Sequence, residues 1–310
     1  MPDIVITEFM DEAAITEGLK GYDVVYDPKL VDKPEELAKL LPDARAIIVR
    51  NRTQVRAPLL AAAPKLKVVG RLGVGLDNID LLACAARSVA VFPASGANDV
   101  SVAEFVITAA LVLLRRAWFA TDRVARGEWP RNDLMGFEMS GKTLGLVGFG
   151  AIARETAKRA KAMGMAVIAY DPFVKPDNPV WAELGACPAT LDQLLATAHV
   201  VSLHVPLTEA TRNLINARAL TAMRKDAIVI NAARGGVVDE GALVMALKAG
   251  EIAGAALDVF DSEPLKGVDA ALFAGCPNLI LTPHIAGVTE ESNVRVSWVT
   301  VENVKKALSP

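Results

Sequence analysis

The apolar run Leu144-Gly145-Leu146-Val147 passes directly into Gly148-x-Gly150-x-x-Ala153, and this junction constrains the fold more than any other stretch. The run has the length of a buried strand, and the glycine segment has the spacing of a turn that opens a helix. Gly148 suits the tight turn. Gly150 lets the backbone approach a pyrophosphate, and Ala153 is small enough for the helix to pack on the strand. The amides of Ala151 and Ile152 begin that helix, where unsatisfied N–H groups favour an anion. The next apolar run, Ala166–Tyr170, ends in Asp171, a carboxylate placed to accept hydrogen bonds from ribose hydroxyls and to repel a 2′-phosphate. Strand, turn, helix, strand and acid in this order predict a dinucleotide site that takes NAD in preference to NADP.

The same alternation runs through nearly all of the 310 residues. Ile4–Thr7, Val24–Tyr26, Ala46–Arg50, Val68–Gly70 and Val89–Phe92 read as strands, with helical spacing and an early proline in Pro34–Leu41 and Pro58–Ala63. A second series, Thr143–Val147, Ala166–Tyr170, Val200–Val205, Ala227–Asn231, Gly254–Leu257 and Leu279–Leu281, is continuously apolar, as strands covered on both faces are. This predicts an α/β fold of two doubly wound parallel-sheet lobes, a Rossmann cofactor domain over 98–284 and a discontinuous flavodoxin-like substrate domain over 1–97 plus 285–310. A helix over Glu290–Leu308 is expected to return to the first lobe. Asp99–Arg126 reads as one long helix, apolar on more than one face from Val102 to Trp118. Its width suggests a self-association surface, hence a homodimer, with burial inside the chain as the alternative.

Composition removes several function classes. The formal charge is −3 and no long basic run occurs, which argues against a nucleic-acid partner. The apolar stretch from Val102 to Leu114 is broken by Glu104 and too short to span a bilayer. Met1-Pro2-Asp3-Ile4 lacks the layout of a secretion signal. Cys84, Cys187 and Cys276 are odd in number and widely spaced, which reads as buried thiols in a reducing cytoplasm, with no metal site.

Three residues late in the chain carry reactive groups in suitable settings. Oxidising a 2-hydroxy acid needs a hydride acceptor, a base for the hydroxyl proton, and a cation that holds the carboxylate and polarises the developing carbonyl. His284, just past a strand end in Thr282-Pro283-His284-Ile285-Ala286-Gly287, suits the base. Glu263, beside Pro264, is placed to hold the imidazole ring and favour its protonated form. Arg234, at a strand end before Gly235-Gly236, offers a planar fork. His204, inside an apolar run, reads as structural. In the first lobe, Gly73-Val74-Gly75 follows Arg71, and the amides of Val74 and Gly75 are expected to form a nest for the substrate carboxylate.

Together these segments resemble the D-isomer-specific 2-hydroxyacid dehydrogenase family over nearly the whole chain. Gly141-Lys142-Thr143-Leu144-Gly145-Leu146-Val147-Gly148, Asn231-Ala232-Ala233-Arg234-Gly235-Gly236-Val237-Val238-Asp239, Ala256-Leu257-Asp258-Val259-Phe260, Glu263-Pro264 and Pro283-His284 carry the resemblance. It implies that Arg234 binds substrate, that Glu263 orients His284, and that His284 is the acid/base. It also implies that Asp258 contacts the nicotinamide of NAD, that Ala232 belongs to the cofactor site, that Val205 and Pro206 line the adenine side, and that the enzyme is dimeric. Ala153 in place of the third glycine is the main departure.

The substrate is then a small anionic 2-hydroxy or 2-oxo acid. Arg50-Asn51-Arg52-Thr53 at a strand end, with Arg71 nearby, resembles the corresponding segment of phosphoglycerate dehydrogenases. Arg50, Asn51 and Arg71 are expected to receive a second anionic group, phosphate or sulfonate, while Arg52 is as well explained by a structural ion pair. Glyoxylate or hydroxypyruvate reduction is the alternative chemistry, and an NAD-sensing corepressor is the alternative class.

Overall fold

The computed structural model describes residues 2–117 and 120–309. Trp118, the expected end of the apolar stretch, lies outside them. The chain divides into two compact units, Met1–Asn98 with Val288–Pro310, and Asp99–Gly287.

The first unit holds a parallel sheet of β1 (Ile4–Ile6), β2 (Val24–Tyr26), β3 (Ala46–Val49), β4 (Val68–Arg71) and β5 (Ala90–Pro93), in the order β2-β1-β3-β4-β5. β1 and β3 are buried along their whole length, which is why their sequences carry no polar alternation. One face packs against the helix Glu290–Leu308, whose Val296, Val301, Val304 and Leu308 meet Ile4, Ile6, Ile48 and Val68. That helix opens on a capping box between Thr289 and Ser292. The opposite face packs Ile47 and Val69 against Leu37 and Leu60, from the helices Pro34–Leu40 and Ala57–Ala62.

The second unit holds a parallel sheet of β6 (Thr143–Val147), β7 (Ala166–Tyr170), β8 (Cys187–Pro188), β9 (Val200–Leu203), β10 (Ile228–Asn231), β11 (Gly254–Leu257) and β12 (Leu279–Leu281). Their order is β12-β11-β10-β9-β6-β7-β8. The winding reverses between β6 and β9, so the carboxyl ends of those two strands flank the crevice in which such sheets bind ligands. The fold is therefore α/β with two doubly wound parallel sheets. β8 is an addition to the expected strands. It is a two-residue edge with both residues exposed, too short to leave a periodic signal. It also corrects the reading of the cysteines, because Cys187 is exposed there and Cys276 is half-buried, leaving only Cys84 buried.

The long helix expected over Asp99–Arg126 is two helices, Asp99–Arg115 and Thr121–Ala125. Arg116 takes a left-handed conformation, φ +54. The N–H of Phe137 donates to the Leu114 carbonyl at 2.9 Å, so a returning loop satisfies the helix end. Apolar periodicity cannot report that distant donor. Most of the breadth of this helix is spent inside its own unit: Val106, Ala110, Leu113 and Leu114 pack with Leu144, Leu146 and Ala157. Among the described residues no helix is long and apolar enough to cross a membrane.

Candidate active site

The dinucleotide turn lies at the β6–β9 reversal. Gly148 has φ +92, and a Cβ there would lie 2.6 Å from the His204 carbonyl oxygen, so only glycine lets the turn pass this close to the end of β9. Val205 half-buries beside it and Pro206 is exposed. Gly150 caps the helix Ala151–Ala162 with extended backbone and no side-chain hydrogen bond, and a Cβ on Gly150 would meet nothing within 4 Å. The helix start, with Ala151 exposed and Ile152 half-buried, therefore presents N–H groups to open space, as a bound pyrophosphate requires. Asp171 is fixed by two amides: Phe149 N–H donates to Oδ2 at 2.8 Å and Phe173 N–H to Oδ1 at 2.8 Å. Each oxygen keeps lone-pair capacity for a ribose hydroxyl. These residues fit NAD.

The strand ends of the same unit gather the reactive groups. His284 Nδ1 and Glu263 Oε2 are 2.8 Å apart, and the other carboxylate oxygen of Glu263 accepts the Phe260 N–H at 3.0 Å. Burial alone would push the Glu263 carboxyl up. The bonds from His284 and Phe260, with the nearby charges of His284 and Arg234, outweigh it and hold the group below the usual carboxylate range. Arg234 follows β10 in a loop set by Asn231, whose side chain donates to the Arg234 carbonyl at 2.9 Å and accepts the Ala233 N–H at 3.1 Å. Ala232 is half-buried at the start of that loop. A Cβ on Gly235 would fall on the Phe260 carbonyl, so the arginine loop and the glutamate loop run backbone against backbone.

Asp258 is almost fully buried, and its carboxylate has partners within the chain. Oδ1 accepts Thr282 Oγ1–H at 2.6 Å and Ile285 N–H at 2.8 Å, and Oδ2 accepts Ala286 N–H at 2.8 Å. Its own carbonyl accepts the His284 N–H at 2.8 Å. The residue thus holds the whole loop that carries His284, a duty that its place at the end of β11 gives no hint of in sequence. His204 is neutral: burial pulls it down to about 4, and Nε2 lies 2.9 Å from Ser202 Oγ.

In the first unit, register pairs Val49 with Arg71, so Arg50 and Arg71 leave neighbouring strand ends. The Arg50 guanidinium donates to Asn293 Oδ1 at 2.6 Å and lies over the Phe9 ring, 5.9 Å from its centroid. Asn51 is exposed. Arg71 Nη1 donates to the Leu72 carbonyl at 2.7 Å. Val74 is exposed and Gly75 buried in the next loop. Arg52 pairs with Asp32 through both terminal nitrogens, in keeping with the structural ion-pair reading.

One group here escapes motif reading. Glu8, at the end of β1 and only 4% exposed, accepts the N–H groups of Arg50 at 2.9 Å, Thr53 at 3.0 Å and Arg52 at 3.1 Å. Burial alone would raise its carboxyl, and those bonds reverse the effect and hold it low. Its one signal in sequence is an acid just after a wholly apolar strand, in a sheet whose strand ends carry the arginines.

Residues 107–286 match the family described as D-isomer specific 2-hydroxyacid dehydrogenase, NAD binding domain. Over 308 residues the chain is 53% identical to the (S)-sulfolactate dehydrogenase of Chromohalobacter salexigens, covering 99% of each protein. It is 40% identical over 301 residues to the D-3-phosphoglycerate dehydrogenase of Archaeoglobus fulgidus, covering 97% of this chain and 56% of that longer protein. Among solved structures, D-lactate dehydrogenase from Aquifex aeolicus complexed with NAD and lactic acid is similar at a TM-score of 0.86 and 31% identity, over 98% of this chain and 96% of that one. Similarity of this extent, together with a turn built for a dinucleotide, shows that the chain belongs to the D-isomer-specific 2-hydroxyacid dehydrogenases, NAD-dependent enzymes of small 2-hydroxy and 2-oxo acids.

Proposed function

We propose that the chain interconverts a 2-hydroxy acid bearing a second anionic group and its 2-oxo counterpart, with a 3-sulfolactate-like or 3-phosphoglycerate-like substrate. The observation that carries the reading is the 2.8 Å contact of His284 Nδ1 with Glu263, which leaves Nε2 for the substrate. In that tautomer the ring donates Nδ1–H to Glu263 and takes the hydroxyl proton at Nε2; in the reverse direction it returns that proton to the carbonyl oxygen. The Arg234 fork holds the substrate carboxylate and the developing carbonyl oxygen. Hydride acceptance is the chemistry that NAD supplies when bound. Gly148, Gly150, Ala151 and Ile152 hold its pyrophosphate, Asp171 its ribose, Val205 and Pro206 its adenine side, and Ala232 and Asp258 the nicotinamide side. The amides of Val74 and Gly75 receive the substrate carboxylate, and Arg50, Asn51 and Arg71 the second anion. The substrate domain comprises 1–97 with 285–310 and the cofactor domain 98–284.

The two substrate types share a handedness. Sulfur ranks the CH2–sulfonate arm above the carboxylate, so (S)-sulfolactate has the spatial arrangement of D-3-phosphoglycerate about the carbinol carbon. A substrate panel with NAD tests the proposal. We expect kcat/KM for doubly anionic acids to exceed that for lactate by at least about tenfold, the scale of one extra charged contact. Equal values remove the second anion from the reading. A preference for hydroxypyruvate or glyoxylate makes the chain a reductase of those acids, and NADH binding without turnover makes it a sensor. We further propose a cytoplasmic homodimer, supported by three thiols without a disulfide and by exposed Trp129, Met135 and Phe137 in the second unit. A monomer at all concentrations in sedimentation overturns the dimer.

A further inference from the structure

We infer that Asn293 is a positioning residue for substrate choice: its neutral side-chain oxygen holds the Arg50 guanidinium without cancelling its charge, which leaves that charge to the second anion of the substrate. The inference rests on the proposed second anion and deepens it. Arg50 and Arg52 both follow β3, and they are held in opposite ways. Arg52 is gripped by the Asp32 carboxylate through both terminal nitrogens. The Arg50 guanidinium meets neutral acceptors. Its Nη2 donates to Asn293 Oδ1 at 2.6 Å, its Nη1 donates to the Phe9 carbonyl at 3.4 Å, and its Cζ lies over the Phe9 ring. Glu8 takes the backbone N–H of Arg50 at 2.9 Å, not the guanidinium. The two side-chain bonds use two of the five guanidinium N–H groups. The others suffice for a forked grip on an anion.

The side chain at 293 departs from what stability favours. Asn293 stands in the first turn of the helix Glu290–Leu308, with its N–H on the Thr289 carbonyl at 3.0 Å. That turn already carries Glu290 and Glu291, as the positive end of a helix favours. An acid at 293 would add to the same interaction and would pair with Arg50 as Asp32 does with Arg52. Asparagine has nearly the shape of aspartate and offers the same oxygen without the charge. A residue that forgoes a local stabilisation marks a functional constraint. Here the constraint is a cation fixed in place yet not neutralised.

The experiment compares Asn293→Asp and Asn293→Gln with the wild type, on the whole enzyme at about pH 8, using 3-sulfolactate, 3-phosphoglycerate and lactate. Asn293→Asp is expected to lower kcat/KM for the preferred doubly anionic acid at least about tenfold, chiefly through KM, because the new carboxylate pairs with Arg50 and repels the anion. Asn293→Gln, neutral but longer, should stay within about threefold of wild type, the scale of one loosened neutral hydrogen bond. Lactate, which lacks the second anion, should change little in either variant. Asn293→Asp should also melt no lower than the wild type and bind NADH as tightly, which separates loss of the cation from loss of the fold. Wild-type kcat/KM of Asn293→Asp on the doubly anionic acid overturns the inference. So does an equal fall in Asn293→Gln, or an equal fall on lactate, because shape and not charge is then at work. A wild type with no preference for either doubly anionic acid over lactate removes the underlying substrate reading, and the inference with it.

Discussion

His284 has φ +57, a left-handed conformation that costs a residue with a side chain about 1–2 kcal/mol. The four bonds from the Thr282–Ala286 loop to Asp258 offset that cost and fix where the ring stands. His284→Ala keeps the loop's backbone bonds and removes the proton carrier. It should lower kcat by about 10²–10⁴-fold with NADH affinity retained in a fluorescence titration; wild-type turnover would refute the role. Glu263→Gln tests the partner. The carboxylate holds Nδ1 of the ring at 2.8 Å, so its loss should lower kcat about tenfold or more with NADH affinity retained, and unchanged turnover would show that the ring needs no such partner. The sign of the stability effect follows from the depressed Glu263 carboxyl. Its contribution is complete above the ordinary carboxylate value and is lost as pH falls through the lower folded-state value. At this scale the sequence is informative about reactive groups, since His284 and Arg234 stand just past strand ends and all three, with Glu263, lie beside Pro or Gly. It is silent about Glu8 and about the structural duty of Asp258, because both bind backbone amides of loops remote in sequence.

Between elements, the decisive contact is the one that Gly235 permits. The loop after β10 carries Arg234 and the loop after β11 carries Glu263, and they meet where Gly235 lies against the Phe260 carbonyl. Phe260 in turn donates its N–H to Glu263. A methyl group at Gly235 must push against backbone, so the displacement reaches the carboxylate that orients His284. Gly235→Ala should reduce kcat/KM about 10²-fold, as a misplacement near 1 Å does, and should cost about 1–3 kcal/mol of stability. The measurement pairs steady-state kinetics with NADH binding: full kcat/KM in the folded variant would show that this spacing is immaterial to the chemistry. Strands such as Thr143–Val147 and Gly254–Leu257 are legible to the residue because a doubly covered strand is a bounded apolar run. The end of the helix Asp99–Arg115 is not, because Phe137, which satisfies its last turn, is remote in sequence and chosen by tertiary packing.

Chain continuity separates the two units. The second, Asp99–Gly287, is one uninterrupted stretch whose sheet and both cores are supplied from within. The first needs its C-terminal segment: Val296, Val301, Val304 and Leu308 cover Ile4, Ile6, Ile48 and Val68, so residues 1–98 alone would expose one whole face of β1, β3 and β4. Burial of four such side chains contributes roughly 6–12 kcal/mol, as much as the net stability of a domain of that size. A fragment spanning 99–287 should therefore unfold in a single cooperative transition by circular dichroism and should bind NADH, because Gly148, Gly150 and Asp171 lie within it. A fragment spanning 1–98 should show no cooperative transition, whereas a fusion of 1–98 to 288–310 through a flexible linker should regain one. Cooperative melting of 1–98 by itself would mean that the C-terminal helix decorates a finished core. Failure of the fusion to fold would mean that the first unit depends on the second for its structure.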